Sequence, residues 1–204
     1  MSLFARGLRW FGLGPALVLF IVAPLGAHAL DIAGRCTVRF FGTSTLHDWE
    51  GAAPCALLSI DAPDASGRYA ARAEVAIAQM DTGISSRDKK MRQMFEAKKY
   101  PRIVATFASV DPAALRSKQP KALPFSVTIH GVERAVKPVL TNFSEVPGKS
   151  ARFRASFELA LNDFGLKAPV AMGFIRVGEI VKVVVDVELT AKAREPTPAA
   201  PPTH

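Results

Sequence analysis

Near the C-terminal end, Val181, Val183, Val185, Val187 and Leu189 alternate with Lys182, Val184, Asp186, Glu188 and Thr190. Successive side chains of an extended chain point to opposite faces. The segment therefore reads as a strand with one apolar face and one largely polar face. Phe153, Ala155, Phe157, Leu159 and Leu161 alternate in the same way with Arg152, Arg154, Ser156, Glu158, Ala160 and Asn162, and Leu123, Phe125, Val127 and Ile129 do so against Pro124, Ser126, Thr128 and His130. Weaker strands are legible at 36–42, 55–61, 69–80, 102–110 and 132–143, some of them separated by turn-prone groups such as Pro147-Gly148. Roughly eight one-faced strands must close their apolar faces against something, and the all-β solutions are a sandwich or a barrel.

One stretch reads as a helix. Ser85 or Ser86 can cap it, Met91, Met94 and Phe95 fall at i, i+3 and i+4, and Tyr100-Pro101 stops it. Both ends of the chain lie outside the β pattern. Arg6 and Arg9 precede an apolar run from Trp10 to Leu25, and Ala27-His28-Ala29 follows. That order is a secretory signal peptide over residues 1–29, with cleavage expected after Ala29 and a periplasmic destination. An uncleaved membrane anchor is the competing reading, and Pro15 and Pro24 interrupt the run it would need. Residues 193–204 hold four prolines and no periodicity, a disordered tail. One β domain remains, 30–192.

Export gives the two cysteines a meaning. In an oxidising compartment Cys36 and Cys55 are an even pair, and a disulfide is the default, against two buried thiols that never meet. So few cysteines and histidines leave little material for a metal site. The 26 basic residues outnumber the 18 acidic. Seven of the cations lie between Arg87 and Arg102, among them Lys90 and Arg92, against only Asp88 and Glu96. With Met91, Met94 and Phe95 facing inward, these cations form an anion-attracting lip suited to a phosphorylated headgroup or an anionic bilayer, or else an ordinary solvated helix face. Export and the scarcity of aromatics nearby speak against nucleic acid.

His47-Asp48-Trp49, with Ser44 close by, invites a hydrolase reading. Neighbours along a strand point apart, so His47 and Asp48 diverge, and Leu46 spoils a nucleophile elbow. The structural alternative puts Trp49 in the core and His47 or Asp48 on backbone groups. His130-Gly131 marks a hairpin turn. A large apolar interior without a reactive constellation fits a carrier of an apolar ligand better than an enzyme.

Four ordered blocks carry a resemblance. They are His47 through Gly51; Thr82-Gly83-Ile84-Ser85-Ser86-Arg87-Asp88 with Met91-Arg92, Tyr100-Pro101 and Phe107; Ile129-His130-Gly131-Val132-Glu133-Arg134; and Asp163-Phe164-Gly165-Leu166 with Val177-Gly178-Glu179-Ile180-Val181. Together they resemble the YceI-like family over nearly the whole expected mature chain. The resemblance implies an exported, lipocalin-like, single antiparallel β-barrel of about eight strands with a short helix near its mouth. It also implies an elongated apolar channel for a polyprenyl lipid or isoprenoid quinone, with no other cofactor. Carried over to this sequence, the lip is Met91, Met94 and Phe95, with Arg87, Lys90 and Arg92 for a headgroup. The interior wall is Phe107, Phe125, Phe153, Phe157 and Val185. Lys90 and Met91 stand where the family usually has histidine and leucine, and the stretch from Arg92 to Tyr100 is shorter than the usual version with two phenylalanines. Because some family domains are joined to b-type cytochrome modules, a redox accessory presenting a quinone to such a partner is the alternative function. A hydrolase using His47 and Asp48 is the third.

Overall fold

The computed structural model describes residues 30–116, 125–171 and 173–193. The expected signal peptide and its cleavage point, and the tail beyond Ala193, lie outside these residues. The strands are β1 Leu30–Ser44, β2 Trp49–Pro54, β3 Leu57–Ile60, β4 Tyr69–Ala76, β5 Arg102–Val110, β6 Phe125–Ile129, β7 Val132–Val136, β8 Val139–Val146, β9 Ser150–Ala160, β10 Val170–Ala171 and β11 Ile175–Ala193. Two helices interrupt them, α1 Ser85–Met94 and α2 Pro112–Arg116.

All pairings are antiparallel. One sheet runs β2-β1-β11-β9-β8, with β10 beside the start of β11, and the other runs β3-β4-β5-β6-β7. The chain crosses between sheets at both margins, from β2 to β3 and from β7 to β8. Pro54 and Pro138 sit at these two corners. Proline offers no N–H to a ladder, so the strand breaks its pairing there and bends onto the other sheet. The Pro138 corner divides what the alternation alone reads as one strand, 132–143, whereas at Pro54 the alternation reads only the strand after the corner and misses β2. Counted as bent strands, and with the two-residue β10 set aside, the pairs at the two corners bring the total to eight.

Alternation decides the two faces. In β11 the odd-numbered residues Val181 to Leu189 face inward, while Asp186 and Glu188 face out into cross-strand ion pairs. Asp186 accepts from Arg154 Nε at 2.7 Å, its register neighbour on β9, and Glu188 pairs with Arg35 and Arg152 on either side. Cys36 and Cys55 form a disulfide with their Cα atoms 5.3 Å apart. It pins β1 to the β2–β3 corner, where the Cys55 N–H also donates to the Cys36 carbonyl.

The tightest packing lies under α1. Ile77 and Phe164 are the largest side chains fully withdrawn from solvent, joined by Met80, Met91, Phe95 and Leu166. Gly165 makes this possible. Its φ of 70° reverses the chain after a short 3-10 turn, so that Phe164 and Leu166 both point inward.

Two local expectations fail. Neither serine caps α1: its N-cap position is Ile84, with no side-chain bond. The first turn is tied instead by buried Asp88, whose Oδ1 accepts from both the N–H and the hydroxyl of Thr82. Nor does the helix run to Tyr100, because it ends at Met94 and the chain turns at Glu96 with a φ of 47°. The second helix, α2, begins at Asp111-Pro112, where Asp111 Oδ1 accepts the Ala113 N–H at 2.8 Å. An N-cap acid followed by proline is the signal that would have shown it. The His130-Gly131 turn does join β6 to β7, with both residues at positive φ as a type I′ turn requires.

Candidate functional site

Between the two sheets lies a cavity of about 1160 Å³, beyond the ~300–1,000 Å³ usual for small-molecule pockets. It extends from the start of α1 to α2, and its lining is overwhelmingly apolar. On β11 the lining runs from Ile175 to Ala191, roughly 53 Å of strand at ~3.3 Å per residue. Such a space is elongated, not round.

Phe107, Phe125, Phe153, Phe157 and Val185 all line it. Phe107 stacks on Phe125 with centroids 4.8 Å apart, and Phe157 meets Phe125 edge-on at 5.2 Å. Phe125 is buried, while Phe107, Phe153, Phe157 and Val185 keep half-open surfaces toward the void. Met91, Met94 and Phe95 reach the lining from α1, with Met91 and Phe95 buried and Met94 half-buried.

At the α1 end the opening is ringed by the 44–48 turn, the start of α1 and the segment around Pro169 and Ile175. Trp49 packs against the edge of the core, meeting Phe40 edge-on at 6.2 Å, without being fully enclosed by it. It is half-buried at this opening, its indole N–H donating to the Thr43 carbonyl at 3.1 Å. Its ring lies where a Cβ on Gly42 would stand, 2.2 Å away, so that only glycine fits opposite it.

Arg87 and Lys90 line the cavity beside Ser86. One Arg87 guanidinium nitrogen donates to the Thr82 carbonyl at 2.6 Å, while its Nε is buried without a protein acceptor. Arg92, expected on the same lip, does not line the cavity. Arg87, Lys90 and Met94 follow the three-and-four spacing of one helix face, and residue 92 falls off it.

The hydrolase constellation is not assembled. Ser44 Oγ accepts the backbone N–H groups of Leu46 and His47 and donates to the His47 carbonyl, so it closes a turn. Among the described residues no hydrogen bond links the His47 ring to Ser44 or to Asp48, and both His47 and Asp48 are exposed. The backbone-satisfying role expected of His47 or Asp48 belongs to Ser44. No cluster of three or more metal-ligating side chains occurs among the described residues.

At the far end, sequence reasoning missed a strap. Arg116 on α2 donates through Nε and a terminal nitrogen to the two carboxylate oxygens of Glu145 on β8, at 2.6 and 2.7 Å. That fork holds Glu145 below and Arg116 above their ordinary pKa values. The pair is 29 residues apart and carries no motif.

The model of the YceI-like domain matches residues 35–189. Among solved structures, BcnA of Burkholderia cenocepacia is 16% identical with a TM-score of 0.58, covering 75% of this chain and 95% of its own. A polyisoprenoid binding domain from Saccharophagus degradans, implicated in plant cell wall breakdown, is also 16% identical at 0.58, covering 79% and 99%. At these identities the likeness is one of fold, and it places the two bent sheets with the lipocalin-like barrels. No curated protein matches the chain.

Proposed function

We propose, from the premise that this chain belongs to the YceI-like domain family, that it is an exported lipid-binding protein which sequesters or carries a long-chain isoprenoid, a polyprenyl lipid or an isoprenoid quinone. The observation that carries this reading is the long apolar cavity, with its wall of half-exposed phenylalanines and valines. A void of that shape is costly to keep in water and well matched to a chain of repeated methyl-branched units. Each methylene withdrawn from water contributes about 0.8 kcal/mol, so a tail needs few polar contacts to be held firmly. The polyisoprenoid binding domain among its structural neighbours supports the same ligand class.

At the opening, Arg87 and Lys90 present positive charge to the head of such a lipid. The Arg87 Nε, buried without a protein acceptor, suits a phosphate or quinone oxygen. Met91, Met94 and Phe95 would meet the first units of the tail, and the wall of Phe107, Phe125, Phe153, Phe157 and Val185 the remainder. The Cys36–Cys55 disulfide fits an exported, periplasmic protein. The reading involves no covalent step.

Native mass spectrometry of protein purified without detergent, with lipid analysis of its organic extract, tests the proposal. A stoichiometric isoprenoid adduct is expected. A clean apo mass that gains nothing on addition of quinones or polyprenyl phosphates would sink it. A quinone adduct whose absorbance changes on reduction would extend the reading to a redox accessory, with a b-type cytochrome as its partner.

A further inference from the structure

Three segments that are distant in sequence meet at the α1 end of the cavity. The Thr45 N–H donates to the Arg176 carbonyl at 3.0 Å, and the Arg176 N–H donates back to Thr45 Oγ1 at 3.2 Å. On the other side of β11, Val170 of β10 lies opposite Arg176. Lys90 and Met94 of α1 share a shallow depression with Pro169 and Val170. The 44–48 turn, the β10–β11 hairpin and the start of α1 therefore form one rim.

The rim exposes large apolar side chains. Leu46 is 65%, Ile84 48%, Val170 53% and Phe174 70% exposed, and they are half of the eight such residues among those described. Scattered singly, exposed apolar residues need no explanation. Four around a single opening, each on a turn or a segment end, form a patch. Between them stand the exposed cations Lys89, Lys90, Lys167 and Arg176. None of the four takes part in an ion pair among the described residues. Of the acidic residues on or beside these segments, Asp48, Asp81, Asp163 and Glu179 are exposed and Asp88 is buried against Thr82. The α2 end is different, since its Arg116 is already neutralised by Glu145.

We propose that this rim docks on an anionic phospholipid bilayer. Leu46, Ile84, Val170 and Phe174 enter the interface, while Lys89, Lys90, Lys167 and Arg176 stand over the acidic headgroups. Projecting apolar tips among unpaired cations are the combination an anionic bilayer surface complements; a neutral bilayer leaves the cations unmatched. The surface stands on its own geometry, but its purpose rests on the lipid-binding reading. Docked this way, the cavity opens directly onto the bilayer, and an apolar tail can pass between them without crossing water.

The test is flotation of the purified protein with vesicles of phosphatidylethanolamine and phosphatidylglycerol, and separately with vesicles of phosphatidylcholine alone. Binding to the anionic vesicles is expected, falling as salt rises. Phe174→Ser with Leu46→Ser, neither of which lines the cavity, should lower that binding by roughly tenfold or more. Lys89→Glu with Lys167→Glu should remove the salt dependence. Leu57→Ser with Val139→Ser, exposed apolar positions on β3 and β8 that neither line the cavity nor belong to the rim, should change nothing. No binding, equal binding to both vesicle types, or rim variants that bind like the parent would each overturn the proposal. So would finding that the apolar rim instead holds two copies of the chain together in sedimentation. Isoprenoid uptake in vesicle-free solution, read by mass and retained by the rim variants, keeps the two readings apart. Vesicle binding without uptake would sink the carrier alone, and uptake without vesicle binding the docking alone.

Discussion

At the α1 end of the barrel Ile77, Phe95, Phe164 and Leu166 are shut away from solvent, whereas toward α2 Phe107, Phe153, Val187 and Leu189 point into the same interior and stay half-exposed. Both groups come from apolar positions of similar size. What differs is what stands across from them. Under α1 a helix and two short 3-10 turns supply partners, so Ile77 and Leu166 are enclosed, and Phe95 and Phe164, though they border the cavity, are almost wholly buried. Toward α2 the facing sheet is too distant to fill the gap, and the side chains line a void. The same kind of residue is core at one end and ligand wall at the other.

The sharpest way to break this contrast is to truncate one phenylalanine from each end. Phe164→Ala should cost about 3–5 kcal/mol, since it removes a ring that is almost wholly buried in the cluster under α1. Phe153→Ala removes a ring that already borders empty space, and its cost should stay near 1 kcal/mol. Urea denaturation at neutral pH measures both. Equal losses would mean that the α2 end is packed after all, and the carrier proposal would lose its basis.

Removing the disulfide comes next. Cys36→Ser with Cys55→Ser frees a loop of 19 residues of sequence separation, for which the chain-entropy estimate is about 3 kcal/mol. Because the bridge fastens β1 to the β2–β3 corner, the loss should appear as global destabilisation, with isoprenoid uptake retained at temperatures where the protein stays folded. Thermal melts with and without reductant, compared with the double variant, give the answer. At the opening, Gly42→Val sets a side chain into the space of the Trp49 ring. A cost of about 1–3 kcal/mol is expected from overpacking. Trp49 must swing outward, so the tryptophan emission should shift to the red. An unchanged spectrum would show that Trp49 does not rest on β1.

Much of this was legible in the sequence, and the portion that was not has a common cause. Alternation exposes the inward face of each strand, and the residues it assigns to the interior of β9 and β11 are the ones that line the cavity. It cannot tell a wall from a core, because period two reports direction and says nothing of what lies opposite. For the same reason Met91 and Phe95 are buried while Met94 is only half so. Arg92 was misplaced by treating a run of cations as one feature when helix geometry sorts them by face. The corner at Pro138 hid inside the strand read at 132–143, and β2, before the corner at Pro54, was missed because Gly51, Ala52 and Ala53 are too small to mark an apolar face. The Arg116–Glu145 strap and the meeting of Leu46, Ile84 and Phe174 at one rim are products of tertiary geometry, with no local signature to find.

The smallest effect expected separates the two ends by acid. Glu145 is held below the ordinary glutamate value of 4.5, first by the hydrogen bond from Arg116, and this bond straps α2 to β8. A carboxylate whose folded pKa is lowered contributes its stabilisation in full above its unfolded value. The contribution is lost as pH falls through the folded one. Asp186, lowered chiefly by Arg154, follows the same rule on the outer face of β11. The cluster of Ile77, Phe164 and Leu166 is apolar, and of the contacts described under α1 the carboxylate tie is that of Asp88 to Thr82 at the start of the helix. Acidification below about pH 4 should therefore loosen α2 before it loosens that apolar cluster. Hydrogen exchange, corrected for its intrinsic pH dependence, should show protection falling first at residues 112–116 and later around 161–166. Glu145→Gln at neutral pH should reproduce the loss at α2 alone, because the amide keeps the size of the side chain and removes its charge. Equal loosening of both ends would mean that the strap carries no share of the α2 end's order, and that the void there is held open by the strands themselves.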